Sequence, residues 1–585
     1  MLVIRNGRFF DGTDGSSRVA TVVVDRGRVL RVAEGDVDVV GASRTIDATG
    51  KWVMPGFLDT HTHYDAELLE GPRLTESVRH GVTTVAIGSC SLSTILSSAE
   101  DCADFFCRVE ALPREAVLPA LQRHKSWSDP RAYVTALESL ALGPNVAAYL
   151  GHSDLRTAVM GLERAVDPTA RPDQAELQAM EMHLEEALDA GFLGLSTMTN
   201  PWDKVGGSRF RSRYLPSCYA TWGEYRRLHR VLRRRGRVLQ SAPNITTKLN
   251  VFLFAAETVS LGLRKTLKTT LISAADTKAD PWLVSLLPVA ANFINRFLGG
   301  NFRWQTVPMP FEVYADGMDL VVFEEFGAGE AALHLVDALE RNQLLADPDY
   351  RKRFRRDYEK RFSARVWHRD LYDATIVSAP DERLAGRSFG ELADERGLHP
   401  VDAFLDLVLE YGTALRWRTT IANHRPEVLL KLASEACVQI GFADSGAHVR
   451  NMAFYNFPLY YLRSVLRAEQ AGTPVLSLEK AVHKLTGEQA DWFGLDAGHL
   501  RVGDRADIAI IDPEGLDDSL DAYHEAPMTM FNGLSRMVKR NNQAVTATII
   551  GGQVVYEAGV FADIHAQRRT GVFLPVGEKA GPAPS

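Results

Sequence analysis

Cysteine is scarce in this 585-residue sequence, and its scarcity limits the classes of protein that the chain can form. Five cysteines occur, an odd number spread between Cys90 and Cys437, which does not match the framework of a disulfide-bonded secreted domain. The first ten residues also lack the ordered regions of a signal peptide, because apolar and polar residues alternate there and turn at Asn6-Gly7. We therefore expect a cytoplasmic protein.

Long hydrophobic runs and an excess of positive charge are also missing. The apolar stretches at residues 249–256 and 286–294 are too short or too interrupted to cross a bilayer of ~30 Å as a helix, so no membrane span is expected. The formal net charge of −8 argues against a nucleic-acid partner. We expect a globular protein that takes a small-molecule substrate, and a homo-oligomer is left open.

Short strand-like segments cluster near both ends of the chain. They fall at residues 2–4, 19–24, 29–32 and 52–53, and again at 506–511, 544–550 and 553–557. Such strands need another sheet to bury against, so we predict one small β-sandwich domain built from residues 1–54 and 496–570. Residues 571–585 are rich in proline, glycine and alanine and are expected to form a flexible tail.

The middle of the chain, residues 55–495, predicts an α/β fold of the (β/α)8 TIM-barrel type. Strand-like runs alternate there with longer helical patterns, as in a parallel sheet. The eight candidate strands end at His61, Cys90, His152, Thr197, Gln240, Ala275, Asn423 and Asp444. Catalytic groups of such barrels lie at the C-terminal ends of the strands. Residues 245–372 are too long for one βα unit, and we interpret them as an insertion over the barrel mouth.

The predicted insertion is rich in apolar and aromatic side chains. Val251-Phe252-Leu253-Phe254 is followed by Phe293, Phe297 and Phe302. We expect these residues to form a lid that selects a substrate with a hydrophobic acyl or aromatic part. An ordinary subdomain core or an oligomer interface is the alternative.

The strongest local signal is the segment PGFLDTHTHYD, in which an apolar strand leads directly into His61 and His63. Residues i and i+2 of a strand project from the same face, so both imidazoles can contact one divalent metal ion. Two polar loop histidines would be the alternative, but the position directly after an apolar strand favours a metal site.

A carboxylate follows a second apolar strand near the other end of the predicted barrel. The segment VQIGFADSGAH carries Asp444 where that strand ends. In a hydrolytic metal site, such an acid could bind the ion, take a proton from the metal-activated water and deliver it to a leaving nitrogen. We therefore expect Asp444 to be both a ligand and the proton shuttle.

Taken together, these motifs resemble the amidohydrolase superfamily and, within it, the N-acyl-D-amino-acid deacylases or D-aminoacylases. The resemblance covers nearly the whole chain and rests on HTHYD, GVTTVAIGSC, GHSDLR, GLST, DSGAH and the closing GHLRVGDRADI. It implies metal-dependent hydrolysis of the amide bond in an N-acyl-(D-)amino acid or a related small amide.

The resemblance also implies roles for individual residues. His61, His63 and Asp444 would form one metal position, Cys90 would be a thiolate ligand, and His152 would lie near the substrate. Taken alone, Cys90 would more often be a small buried apolar residue than a ligand. His152 is also compatible with a hydrogen-bonded histidine that holds the barrel mouth.

Two histidines of the deacylase pattern are missing. Those enzymes carry one at the end of the fifth strand and one at the end of the sixth, where this chain has Gln240 and then Asp276 with Lys278. We therefore expect one Zn²⁺ ion rather than two, although iron or manganese also suits such ligands. Asp276 and Lys278 become candidates for substrate binding, with a surface ion pair as the equal alternative.

Two further functions are compatible with the sequence, because a barrel fold does not define its reaction. One is an amidohydrolase-fold enzyme of specialised metabolism that acts on a cyclic amide, an ester or a carbon–carbon bond with an incomplete metal site. The other is a non-catalytic descendant that binds a ligand. The presence of His61, His63 and Asp444 together argues against the second.

Overall fold

Eight parallel strands form the centre of the computed structural model, which describes residues 1–110, 112–244, 249–272, 274–360 and 365–578. Their inner and outer faces are both covered, and strands such as Val82–Ile87 are buried at every position, as expected of a parallel sheet. The eight strands, in chain order, are Phe57–Asp59 with its continuation His61–Thr62, Val82–Ile87, Asn145–Gly151, Gly194–Met198, Val238–Ala242, Lys268–Leu271, Asn301–Thr306, and Val438–Ile440 with its continuation Phe442–Ser445.

The sheet closes into a barrel between its first and last strands. The backbone N–H and the hydroxyl of Thr60 both donate to the carbonyl of Gly441, at 2.8 and 3.1 Å. Beyond this point the continuations of the two strands pair in parallel, with Phe442 beside His61. The predicted TIM-type barrel is confirmed.

Helices surround the barrel and begin and end at recognisable capping residues. Trp222–Arg235, for example, starts after Thr221, whose side chain accepts from the N–H of Glu224, and ends at Gly236 in the left-handed conformation. No helix of the described residues is long and apolar enough to cross a membrane. The helices of this ring and of the loops above it are Glu67–Glu70, Thr75–Arg79, Ala99–Val109, Arg114–His124, Pro130–Ser139, His152–Met160, Leu162–Ala165, Gln174–Asp189, Trp222–Arg235, Leu249–Thr258, Leu283–Phe297, Pro426–Ser434, Phe457–Gln470, Leu478–Leu485 and Gly487–Phe493.

The two ends of the chain build one small β-domain, as predicted. Nine strands pair into a single sheet, in which Trp52–Pro55 lies between strands from the two termini. Side chains from both ends form one separate apolar cluster, which includes Ile4, Val22, Ile508 and Ile549. The strands of this sheet are Leu2–Phe9, Arg18–Asp25, Arg28–Glu34, Arg44–Asp47, Trp52–Pro55, Ile508–Ile511, Val545–Ile550, Gln553–Glu557 and Val560–Phe561.

The seventh barrel strand differs from the sequence prediction. It is Asn301–Thr306, whereas the predicted strand that ends at Asn423 is Arg416–Ala422, the centre of a separate antiparallel sheet with Phe311–Asp316 and Thr375–Ser378. The error has a physical reason, because NFRWQT looks polar in sequence and RWRTTIA has stronger β propensity. This antiparallel subdomain also holds the helices Gly327–His334, Ala338–Ala346, Pro348–Glu359, Phe389–Arg396 and Pro400–Tyr411.

The prediction of an aromatic lid is wrong for the residues on which it rested. Phe302 lies on the seventh barrel strand and packs against Trp304, and Phe254 packs among the outer helices beside Trp222. Phe293 and Phe297 lie on the outer helix Leu283–Phe297 and are exposed. Barrel strands six and seven both fall within residues 245–372, so much of that interval belongs to the barrel wall.

A buried polar cluster joins the terminal β-domain to the barrel. The carboxylate of Asp507 accepts from the side chains of Asn145, at 2.9 Å, and Arg505, at 3.0 Å, and from the backbone N–H of Gly551, at 2.7 Å. Asn145 is the first residue of the third barrel strand. Asp507 therefore links both parts of the molecule through one buried charge.

We predict that Asp507→Ala lowers the free energy of unfolding by about 3–5 kcal/mol, because it removes the carboxylate from a buried ion pair. Asp518→Ala is the matched control, since Asp518 pairs with Arg467 on the surface, and it should change stability by less than about 1 kcal/mol. Urea unfolding followed by circular dichroism measures both values. Equal, small effects would contradict the structural role of the cluster.

Candidate metal centre

Three predicted ligands meet at the ends of the first two barrel strands. His61, His63 and Cys90 are buried, and each offers a ligand atom within 4.8 Å of the others. The Sγ atom of Cys90 lies 3.3 Å from Nε2 of His61. Because His61 and His63 are two residues apart on one extended segment, both rings turn to the same side.

Asp444 reaches the same point from the end of the last strand. Its Oδ1 atom lies 3.0 Å from Nε2 of His63 and 3.6 Å from Nε2 of His61. The structure thus brings together all four predicted ligands, with two nitrogen donors, one sulfur and one oxygen. This donor set is of the kind that zinc prefers.

Unusual backbone conformations hold the donors in place. Cys90 and Asp444 have φ values of 52° and 54°, in the left-handed region where a non-glycine residue is strained by about 1–3 kcal/mol. After Asp444 the chain passes so close to His63 that a Cβ on Gly446 would lie 2.7 Å from the His63 backbone. Glycine at position 446 therefore permits the close approach.

A second set of buried polar groups orients the donors. Nδ1 of His61 lies 2.7 Å from Oε1 of Gln305, which leaves Nε2 facing Cys90 and Asp444. Nδ1 of His63 lies 2.8 Å from Oε1 of Glu110 as an ion pair, outside hydrogen-bonding geometry. A hydrogen-bonded partner such as Gln305 fixes the tautomer and direction of a metal-binding histidine.

Sequence analysis missed both of these partners. Gln305 lies on the barrel strand that was not predicted, and Glu110 follows the helix Ala99–Val109 with no motif around it. Gln240, which stands where the deacylase pattern has a histidine, accepts the backbone N–H of Cys90 through its Oε1 at 3.0 Å. The position of Gln240 at a strand end was the available signal.

The charges of the site favour an arrangement that can bind a cation. Burial opposes ionisation of Asp444, but the hydrogen bond and charge of His63 outweigh burial and lower the pKa of Asp444 to about 2. Burial lowers the pKa of His61 to about 4, so its ring is neutral at pH 7. Burial also raises the pKa of the Cys90 thiol to about 12. A metal bound there would have to displace the thiol proton, as thiolate ligation requires.

The three residues predicted to bind substrate have other contacts. His152 is buried, with Nε2 at 2.9 Å from Glu224 and Nδ1 at 3.2 Å from Thr197. Asp276 accepts from Nε of Arg425 at 2.8 Å, and Lys278 donates to Asp373 at 2.7 Å. Within the described part of the chain, the contacts of all three residues are with groups other than the four donors.

A cavity of about 400 Å³ includes in its lining His448, which follows Asp444 by four residues, but none of the four donors. Asp203 and His448 line it from the barrel side, and Asp319 and Leu320 line it from the antiparallel subdomain. Burial, together with the nearby charges of Glu110 and Asp444, raises the pKa of Asp203 to about 7, which places this wall of the cavity within electrostatic reach of the donors.

Arg211 differs from the neighbouring arginines of this cavity in the partners of its side chain. Its neighbours Arg108 and Arg341 contact Glu324 and Asp319, respectively. Nε of Arg211 donates to a backbone carbonyl at 3.3 Å, and among the described residues no carboxylate pairs with it. Burial lowers its pKa, and the positive charges of Arg108 and Arg341 lower it further. A bound anion would relieve this repulsion.

Known proteins share both the sequence and the architecture of this chain. An uncharacterized protein of Mycobacterium tuberculosis is 52% identical over 585 residues, with 99% of this chain and 96% of that protein covered. An N-acyl-D-glutamate deacylase of Alcaligenes xylosoxydans xylosoxydans is 27% identical over 543 residues and 92% of each chain. A sequence model of the amidohydrolase family matches residues 44–201 and 465–556. The chain belongs to the amidohydrolase family.

Solved structures show the same fold. An N-acyl-D-glutamate deacylase of Bordetella bronchiseptica, crystallised with zinc and a phosphonate inhibitor, superposes with a TM-score of 0.62 at 22% identity, over 98% of this chain and 99% of that one. The structure of a D-aminoacylase gives the same TM-score, identity and coverage. That protein has a binuclear metal centre, with activation by one metal and attenuation by the second. At this identity, the similarity shows the barrel and its β-domain.

We predict that Gln305→Leu weakens zinc binding about 10–100-fold, the usual effect of removing a group that orients a metal-binding histidine. Gln439→Leu is the matched control. This buried glutamine of the neighbouring strand accepts a hydrogen bond from Thr270 at 2.7 Å, and Thr270 is not one of the four candidate metal ligands. Competition with a chromophoric chelator measures both affinities. Equal affinities in the two variants would show that Gln305 does not position His61.

Proposed function

We propose that this protein is a metal-dependent hydrolase that cuts the amide bond of an N-acyl-amino acid, with preference for the D form, or of a related small amide. One observation carries the proposal: His61, His63, Cys90 and Asp444 converge at the C-terminal ends of the barrel strands. Relatives that are N-acyl-D-glutamate and N-acyl-D-aspartate deacylases support the reaction class.

The residues fit one divalent ion better than two. His61, His63 and Asp444 would hold zinc, with Cys90 as a further ligand, while the positions of the missing histidines are engaged within the protein. Gln240 accepts the N–H of Cys90, and Asp276 pairs with Arg425. When bound, the ion would lower the pKa of a water molecule and polarise the scissile carbonyl.

Asp444 is the residue suited to moving the proton. Amide hydrolysis needs a base that takes a proton from water and then protonates the leaving nitrogen as an acid. The depressed pKa of Asp444 keeps it ionised at neutral pH, and its side chain is partly exposed while its neighbours His61 and His63 are buried. The carboxylate can therefore take a proton from the water and later give it to the leaving nitrogen without changing its position.

Arg211 is suited to the carboxylate that every N-acyl-amino acid carries. Arg211 lines the cavity that Asp203 and His448 also line, and it has no acidic partner among the described residues. A guanidinium binds a carboxylate through paired N–H donors, with a planar geometry that a lysine does not reproduce. The substrate carboxylate would then fix the amide relative to the donors.

We predict that Asp444→Asn lowers kcat at least ~10²-fold, the lower range for general acid–base catalysis. The amide is similar in size and retains one oxygen that can contact a metal, but it cannot carry the proton. Steady-state kinetics with metal content measured on the same sample tests this expectation. Near-normal kcat with metal still bound would show that another group moves the proton.

If Asp444→Asn also loses its metal, the wild-type pH–rate profile decides between ligand and shuttle. An acid limb of kcat in the zinc-loaded enzyme would support a basic group that must be ionised for turnover. Because the pKa of Asp444 lies near 2, this limb should appear only at strongly acidic pH, and a limb centred near neutral pH would assign the ionisation to a group other than Asp444.

A substrate panel tests the proposed reaction and its anchor together. N-acetyl-D-amino acids should be hydrolysed faster than their L forms and faster than the corresponding D-amides, which lack the carboxylate. Arg211→Met should raise KM for the acids at least tenfold, the order expected for a charge-assisted hydrogen bond, and leave KM for the amides nearly unchanged. Hydrolysis is followed by release of the free amine.

Arg213→Met is the control for this variant, because Arg213 is exposed, close in sequence and outside the cavity lining. It should behave like the wild type. Absence of hydrolysis of every N-acyl-amino acid by the zinc-loaded protein would refute the proposed reaction. Equal KM changes for acids and amides would refute the role of Arg211 alone.

A further inference from the structure

The outer surface of the barrel carries an apolar area that the catalytic site does not explain. It contains seven large apolar side chains, each between 51% and 87% exposed, and we call it the outer apolar patch: Leu261, Leu263, Trp282, Leu286, Val289, Phe293 and Phe297. Single exposed apolar residues are ordinary, but a concentration of this kind marks an interaction surface.

Most of the patch lies on the helix Leu283–Phe297, which is apolar on both sides. Val284, Pro288 and Ala291 are buried against the barrel. Leu286, Val289, Phe293 and Phe297, at spacings of three and four residues, form a stripe on the opposite side. A barrel helix needs only its inner stripe for folding, so the outer stripe requires another explanation.

Of the other three members, Trp282 directly precedes this helix, and Leu261 and Leu263 lie on a loop attached to its C-terminal end. The backbone N–H groups of Ser260 and Leu261 donate to the carbonyl of Leu298, at 3.2 and 3.1 Å. Leu263, at the tip, is the most exposed member of the patch. The rings of Phe293 and Phe297 contact each other with centroids 5.4 Å apart. Loop and helix therefore form one continuous surface.

Positive charge borders this surface on a protein that is acidic as a whole. Arg264 and Lys265 follow Leu263 directly and are exposed, and Arg296 is the only charged residue of the helix Leu283–Phe297. Lys265 contacts the end of the arginine-rich helix Trp222–Arg235. The acidic groups lie along the helix and before it: Asn292 donates to Glu435 at 3.4 Å, and Asp280 precedes Trp282 by two residues. Cations thus concentrate at the loop end.

We propose that the outer apolar patch docks the protein onto an anionic lipid surface. Phe293, Phe297 and Leu263 would enter the boundary between headgroups and acyl chains, while Arg264 and Lys265 contact anionic headgroups. Interfacial binding combines apolar burial with electrostatic attraction in this way. A second copy of the chain on the same patch would bring the same cations toward one another, so the charge favours the lipid surface.

Sedimentation with lipid vesicles tests the proposal on the full chain. The protein should bind vesicles that contain phosphatidylglycerol and phosphatidylcholine, should bind pure phosphatidylcholine at least tenfold more weakly, and should dissociate as salt is raised. Phe293→Ser combined with Phe297→Ser should lower the bound-to-free ratio at least tenfold. Arg264→Glu combined with Lys265→Glu should do the same, and only for the anionic vesicles.

Val336→Ser combined with Leu339→Ser is the matched control, since these residues are similarly exposed but belong to the antiparallel subdomain. This variant should bind like the wild type, and all variants should retain their circular dichroism spectra. Failure to bind anionic vesicles, or equal losses in patch and control variants, would overturn the proposal. A dimer by light scattering that dissociates in the Phe293/Phe297 variant would assign the patch to a second copy instead. None of these outcomes depends on amide hydrolysis.

Discussion

The pairing of the first and last barrel strands is the constraint on which the candidate site depends. The two strands are separated by nearly four hundred residues, and each is interrupted at the point where Thr60 donates to Gly441. Beyond this interruption, the continuations carry His61 and His63 on one side and Asp444 on the other. Without this closure the histidines and the carboxylate would be parts of distant segments. Closure brings Nε2 of His63 to 3.0 Å from Oδ1 of Asp444.

Much of this arrangement could be predicted because it leaves a local trace. His61 and His63 follow an apolar strand, and Asp444 ends another, so alternation and strand-end position indicate their roles. The β-domain was predictable for the same reason, since its strands alternate apolar and polar residues and turn at glycine, as at Gly551-Gly552. Gln305 and Glu110 leave no such trace, because a partner two contacts away from the ion is defined only by tertiary packing.

The errors have a common cause. Arg416–Ala422 has the β-branched composition of a barrel strand, and Asn301–Thr306 does not, yet strand pairing placed the second in the barrel. The aromatic residues assigned to a lid likewise lie elsewhere, with Phe302 on the seventh barrel strand and Phe254, Phe293 and Phe297 on outer helices. For Arg416–Ala422 the sequence indicated the type of element correctly, and the structure determined its neighbours. The cavity wall comes instead from a subdomain rich in charged pairs, such as Arg341 with Asp319.

The central claim is that His61, His63, Cys90 and Asp444 hold one catalytic metal ion. Anomalous scattering at the zinc edge, collected on crystals of the zinc-loaded protein, tests it most directly. The account predicts a single strong peak among the four ligand atoms and no second ion of comparable occupancy near Gln240 or Asp276. Two peaks of equal height bridged by Cys90, or a peak that does not contact His61 and His63, would contradict it.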